Sequence, residues 1–162
     1  MPLTRHHGGW VILLSFLAAY LLTVAPMPRD WALLRPEWTA LVLIYWCLAV
    51  PQRVGVAVGW LAGLFQDVLR GALLGQYALG LAVVAYLTLK LHRRLRLFPL
   101  WQQALSVLVL VALQQLLVLW VQGILGQARP AWAYWLPAAS SALLWPPLFL
   151  LLRALRRRFR VS

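Results

Sequence analysis

Apolar residues run along this chain in long stretches separated by short polar interruptions. Neither the two-residue alternation of a half-exposed strand nor the one-sided stripe of a soluble helix dominates. The first stretch reads as a helix over 10–28, ended by Pro26 and Pro28 because proline cannot continue a helix. Arg5, His6 and His7 precede it, and Thr23-Val24-Ala25 faintly resembles a signal-cleavage site. The stretch is too long for a signal-peptide core and Pro26 would follow the cut, so it is read as a retained first helix. Pro36 and Glu37 suit the first turn of a second helix, over 36–50, which Pro51 stops. Further helices are expected over 53–69, 72–90, 99–125 and 132–153, followed by a basic tail over 153–162. No internal repeat or linker divides the chain, so 1–162 is read as a single polytopic domain.

The second and third segments are short. Fifteen residues at 1.5 Å each cover only about 22 Å of a hydrocarbon core roughly 30 Å thick. They are two short spans, one merged span or a re-entrant hairpin.

Composition changes the picture from helices in general to helices in lipid. The 162 residues are 64% hydrophobic and 11% charged, too few charges to cover a soluble globule of this size. The net charge of +12 would suit nucleic acid, but the basic residues sit in short clusters between apolar runs and form no single basic face. Their positions instead set topology. With six spans and the N-terminus in the cytoplasm, eleven Lys and Arg fall inside: Arg5, Arg53, Lys90, Arg93, Arg94, Arg96, Arg153, Arg156, Arg157, Arg158 and Arg160. Four fall outside: Arg29, Arg35, Arg70 and Arg129. That bias follows the positive-inside rule and predicts a multi-pass protein with both termini in the cytoplasm. Merging segments two and three would strand the 90–96 cluster outside. A re-entrant hairpin keeps the same parity and stays open. Cys47 is the single cysteine, so no intramolecular disulfide can form.

Candidate chemistry is sparse. His6, His7 and His92 have no Asp or Glu near them in sequence, and nothing supplies the nucleophile–base pair or metal cluster that hydrolysis needs. No enzyme and no cofactor is expected. Asp67 is the one acid inside an apolar segment, three residues before Arg70. That spacing permits a local ion pair, the alternative being a role facing a partner or ligand. Gly59, Gly63, Asp67, Gly71 and Gly75 recur every four residues. Gly59 and Gly63 read as a close-packing seam, Gly71 and Gly75 as the turn into the fourth helix. Gln114 and Gln115 fall in the middle of the fifth helix as interhelical glue or the lining of a small cavity. Ala138 to Ala142 form a small-residue patch, and Pro146-Pro147 should kink the last helix. Trp10, Trp31, Trp38, Trp101 and Trp132 stand near the expected interfaces as an aromatic belt.

Several strings together resemble one family. Arg35-Pro36-Glu37-Trp38, Leu43-Ile44-Tyr45-Trp46, the Gly/Asp series from Gly59 to Gly75, Leu100-Trp101-Gln102-Gln103-Ala104 and Leu144-Trp145-Pro146 are similar, in that order, to the rod shape-determining MreD family. Glu37 stands where the family pattern has Asp, which keeps the charge. The resemblance implies an all-α integral membrane protein of about six transmembrane helices, similar in fold to the substrate-binding subunits of energy-coupling-factor transporters. It also implies a place in the bacterial elongation complex that inserts side-wall peptidoglycan, in the cytoplasmic (inner) membrane. The partners implied are MreC, the synthases RodA and penicillin-binding protein 2, and, indirectly, MreB and RodZ, besides membrane lipids. The alternative is a small-molecule or lipid binder, or a transport subunit, with an intramembrane cavity near Asp67, Gln114 and Gln115.

Overall fold

The computed structural model of the chain describes residues 9–24, 37–50, 54–70, 75–124 and 135–158. Among them are six α-helices: α1 Gly9–Val24, α2 Trp38–Ala49, α3 Val56–Arg70, α4 Gln76–Leu97, α5 Leu100–Ile124 and α6 Leu136–Arg158.

The sequence of α2 decides the centre of the bundle. Its twelve residues are apolar on every side, and residues 39 to 48 are all buried. A helix without a polar face can only be satisfied in an interior, and α2 accordingly touches each of the other five helices. Trp46, in its last turn, is fully enclosed, and its indole Nε1 donates to Ser15 Oγ of α1 at 2.7 Å. Tyr20 of α1 donates from its hydroxyl to the Ala62 carbonyl of α3 at 2.8 Å. Along α1 the inward residues Ile12, Phe16 and Ala19 alternate with exposed Leu13, Leu14, Leu17 and Leu21.

The outside of the bundle is as apolar as the inside. Leu13, Phe65, Val68, Val109, Trp120 and Leu143 are all largely exposed, a surface that water does not tolerate over a wide area. Two helices, over Leu100–Val121 and Leu136–Arg158, are long and apolar enough to cross a membrane, whereas the apolar parts of α1, α2 and α3 are shorter. Trp10 and Trp101 point outward, Trp38 is half-buried, and Trp31 and Trp132 lie outside the described residues.

Two expectations need correction at the basic ends. The cluster Lys90, Arg93, Arg94 and Arg96 is not a loop closing a helix over 72–90. It rides on α4, which continues to Leu97. Nothing before Phe98-Pro99 breaks the helix, and the residue ahead of a proline is pushed out of the α region. Phe98 is indeed extended, with φ −74° and ψ 143°. Likewise, Arg153, Arg156, Arg157 and Arg158 are not a tail beyond the last helix but the final turns of α6, where cations meet the negative end of the helix dipole. α6 runs as one helix through Pro146 and Pro147.

Candidate functional site

Four polar residues of the interior, Glu37, Gln66, Asp67 and Ser141, gather at the end of the bundle where α2 and α4 begin and α3 ends. Asp67 is fully buried one turn before the end of α3. Its Oδ2 accepts the Gly75 N–H at 2.8 Å and its Oδ1 the Tyr77 N–H at 2.7 Å. The first N–H groups of any helix lack partners within it, and a carboxylate there also meets the positive end of the dipole. Asp67 thus caps α4 from the neighbouring helix and closes the turn between them. Both Asp67 oxygens accept from backbone N–H groups, and the ion pair expected from spacing would fall on Arg70. The Arg70 side chain itself lies outside the described residues. Gly75 stands at the cap with φ +103°, a left-handed conformation that costs any residue with a Cβ.

The same two helices meet through the glycine seam. A Cβ on Gly63 would collide with the backbone of Ala78, lying 2.5 Å from its nitrogen. A Cβ on Gly59 would stand 2.9 Å from the Leu81 carbonyl oxygen. These approaches let α3 and α4 pack more extensively than any other pair, the arrangement small residues permit in lipid.

Across the same end, the backbone N–H of buried Glu37 donates to Ser141 Oγ of α6 at 2.9 Å. Gln66 Nε2 makes a long contact, 3.5 Å, with Glu37 Oε2. Glu37, Gln66, Asp67 and Ser141 are each under a tenth exposed, so α2, α3, α4 and α6 are tied together by one enclosed polar layer. Arg35, Pro36 and Gly71 fall outside the described residues. Sequence reasoning singled out Glu37 and Asp67 but not Gln66. The signal for it was a glutamine beside a buried acid in an apolar run.

Gln114 corrects another expectation. It is fully buried in α5, yet among the described residues neither its Oε1 nor its Nε2 has a hydrogen-bond partner, so it is not glue by hydrogen bonding there. It packs against Gly80 of α4, where an added Cβ would lie 2.9 Å from Gln114 Cγ. Gln115 is buried beside it. Gln103 of α5 does bridge helices by hydrogen bonds, accepting from Trp145 Nε1 at 3.2 Å and donating to the Leu95 carbonyl at 2.8 Å.

The opposite end is basic. Arg93, Arg94, Arg157 and Arg158 are exposed, and Lys90 Nζ lies 5.3 Å from the Tyr86 ring centroid. Arg96, exposed like them, and half-buried Arg156 reach the last carbonyls of α2. Arg153 is half-buried on α6, and Arg160 lies outside the described residues. Among the described residues, no three His, Cys, Asp or Glu side chains come together as a metal site would need.

A helical bundle apolar inside and out, polar-capped at one end and arginine-rich at the other, is the design of an integral membrane protein. The family model for rod shape-determining protein MreD matches residues 4–155. A rod shape-determining protein MreD from Haemophilus influenzae is 39% identical over 159 residues, covering 98% of both chains. No solved structure gives a significant match. The chain belongs to the MreD family of rod shape-determining membrane proteins.

Proposed function

We propose that this chain is a non-enzymatic membrane scaffold of the cell-elongation complex. It binds the membrane segment of MreC and helps regulate side-wall peptidoglycan synthesis by RodA and penicillin-binding protein 2, with MreB and RodZ engaged indirectly. The observation that carries this reading is the family match along nearly the whole chain. Supporting it, Asp67, Gly63 and Gly75 are all spent on fastening α3 to α4, which makes that pair a stiff unit able to present a fixed surface. In this reading the six helices cross the inner membrane as in the substrate-binding subunits of energy-coupling-factor transporters, with both termini in the cytoplasm.

The test is co-purification of MreC with the tagged protein from a rod-shaped bacterium, together with cell shape after deletion of the gene. Wild type should retain MreC, and Gly63→Leu, still inserted in the membrane, should lose it. Intact rod shape and undisturbed MreC assembly in the deletion strain would refute the scaffold.

A further inference from the structure

At the basic end a cavity of about 310 Å³ opens between the C-terminal ends of α2, α4 and α6 and the start of α5. Its lining is part cationic, from Arg96, Arg153 and Arg156, and part apolar, from Tyr45, Leu48 and Phe149. Among the described residues no carboxylate lines it, and the two described acids, Glu37 and Asp67, sit at the far end of the bundle.

The arginines are held in place. Arg96 Nε donates to the Leu48 carbonyl at 2.5 Å and a terminal nitrogen to the Ala49 carbonyl at 3.1 Å. Arg156 reaches the same Ala49 carbonyl at 3.4 Å. These carbonyls are the open negative end of α2, so the helix terminus orients two guanidinium groups before any ligand arrives. A guanidinium has five N–H donors in a rigid fork, and these bonds use only a few of them. Arg153 makes no hydrogen bond among the described residues. Three like charges around a partly apolar cavity repel one another, and the half-buried Arg153 and Arg156 lose part of their hydration. An anion placed among them relieves both costs and accepts forked, charge-assisted bonds.

We propose that this cavity is a binding site for the phosphate group of an anionic membrane lipid. The phosphate takes the donors of Arg153 and Arg156, and the first part of the apolar chain lies against Tyr45 and Phe149. The mixed lining argues for a lipid over a free phosphate, which would leave Tyr45 and Phe149 unused. The location agrees, because basic pockets between transmembrane helices at the cytoplasmic side are where anionic headgroups bind. The proposal rests on the orientation given above only for which leaflet supplies the lipid.

The experiment uses the purified full-length protein in detergent without MreC, so its failure is separate from failure of the scaffold reading. Native mass spectrometry compares retention of phosphatidylglycerol and phosphatidylcholine by wild type, Arg153→Gln and Arg158→Gln. Arg158 has the same charge but does not line the cavity. Wild type should favour phosphatidylglycerol, Arg153→Gln should bind it about ten-fold more weakly, and Arg158→Gln should change it less than about two-fold. An equal loss in Arg158→Gln would reduce the effect to general surface charge and overturn the site. Displacement of the lipid by millimolar inorganic phosphate would assign the cavity to a soluble anion. Equal retention of both lipids would also overturn the proposal and hand the cavity to an acidic protein segment.

Discussion

Asp67 is fully buried, and its hydrogen bonds to the Gly75 and Tyr77 N–H groups compensate for lost hydration. Asp67→Asn keeps the shape but replaces one acceptor with a donor facing a backbone N–H. A buried donor left unsatisfied costs about 1–3 kcal/mol. The thermal midpoint in detergent should fall, and an unchanged midpoint would mean the capping contributes nothing. Gln114 predicts the opposite sign. Both its amide atoms are buried without partners, so Gln114→Leu, which removes the polar groups and roughly keeps the volume, should stabilise by about 1 kcal/mol. A destabilised Gln114→Leu would show that the amide has a partner within the assembled membrane protein. The sequence marked both residues as polar groups in apolar runs, but it could not give their partners. Spacing along a helix ranks side chains three and four residues away, hence Arg70 for Asp67. The backbone N–H groups of Gly75 and Tyr77 lie beyond the turn and have no residue-type signal.

Between elements, the glycines separate two kinds of contact. The Cβ of Gly63→Ala would meet the backbone of Ala78, which cannot rotate away. The Cβ of Gly80→Ala would meet a Gln114 methylene, which can. Overpacking typically costs about 1–3 kcal/mol, so Gly63→Ala should lose that much in detergent unfolding and Gly80→Ala clearly less. The reverse order would place the closest helix approach at α4 and α5. The every-fourth spacing made Gly63 legible in the sequence. Gly80 stands outside that series, and only the crossing of α4 over α5 gives it a role. Helix boundaries at the basic ends were misjudged for a related reason. Polarity suggested a loop at 90–96, yet Lys90, Arg93 and Arg94 are spaced three and four apart on a helix surface. Long cationic side chains are at ease there near headgroups.

Across the whole molecule, eight Lys and Arg of the described residues lie at one end of α4 and α6, while Glu37 and Asp67 lie at the other. Reporter fusions at both termini should therefore give the cytoplasmic signal, active as a fluorescent protein and inactive as a periplasmic phosphatase. Opposite signals at the two ends would mean an odd number of spans. The sequence alone determined that the chain needs lipid, that its apolar runs form helices, and that one end is basic. Those properties are sums over local composition, which a chain cannot hide. Only the tertiary structure decided that the shortest of these helices, α2, is the core, that Asp67 caps its neighbour, and that Arg96, Arg153 and Arg156 converge on one cavity. Each of these depends on which faces meet, and α2 is apolar on every face, so its own pattern names no neighbour. Arginines from α4 and α6 reach the end of α2 because the bundle brings together residues some fifty to a hundred positions apart.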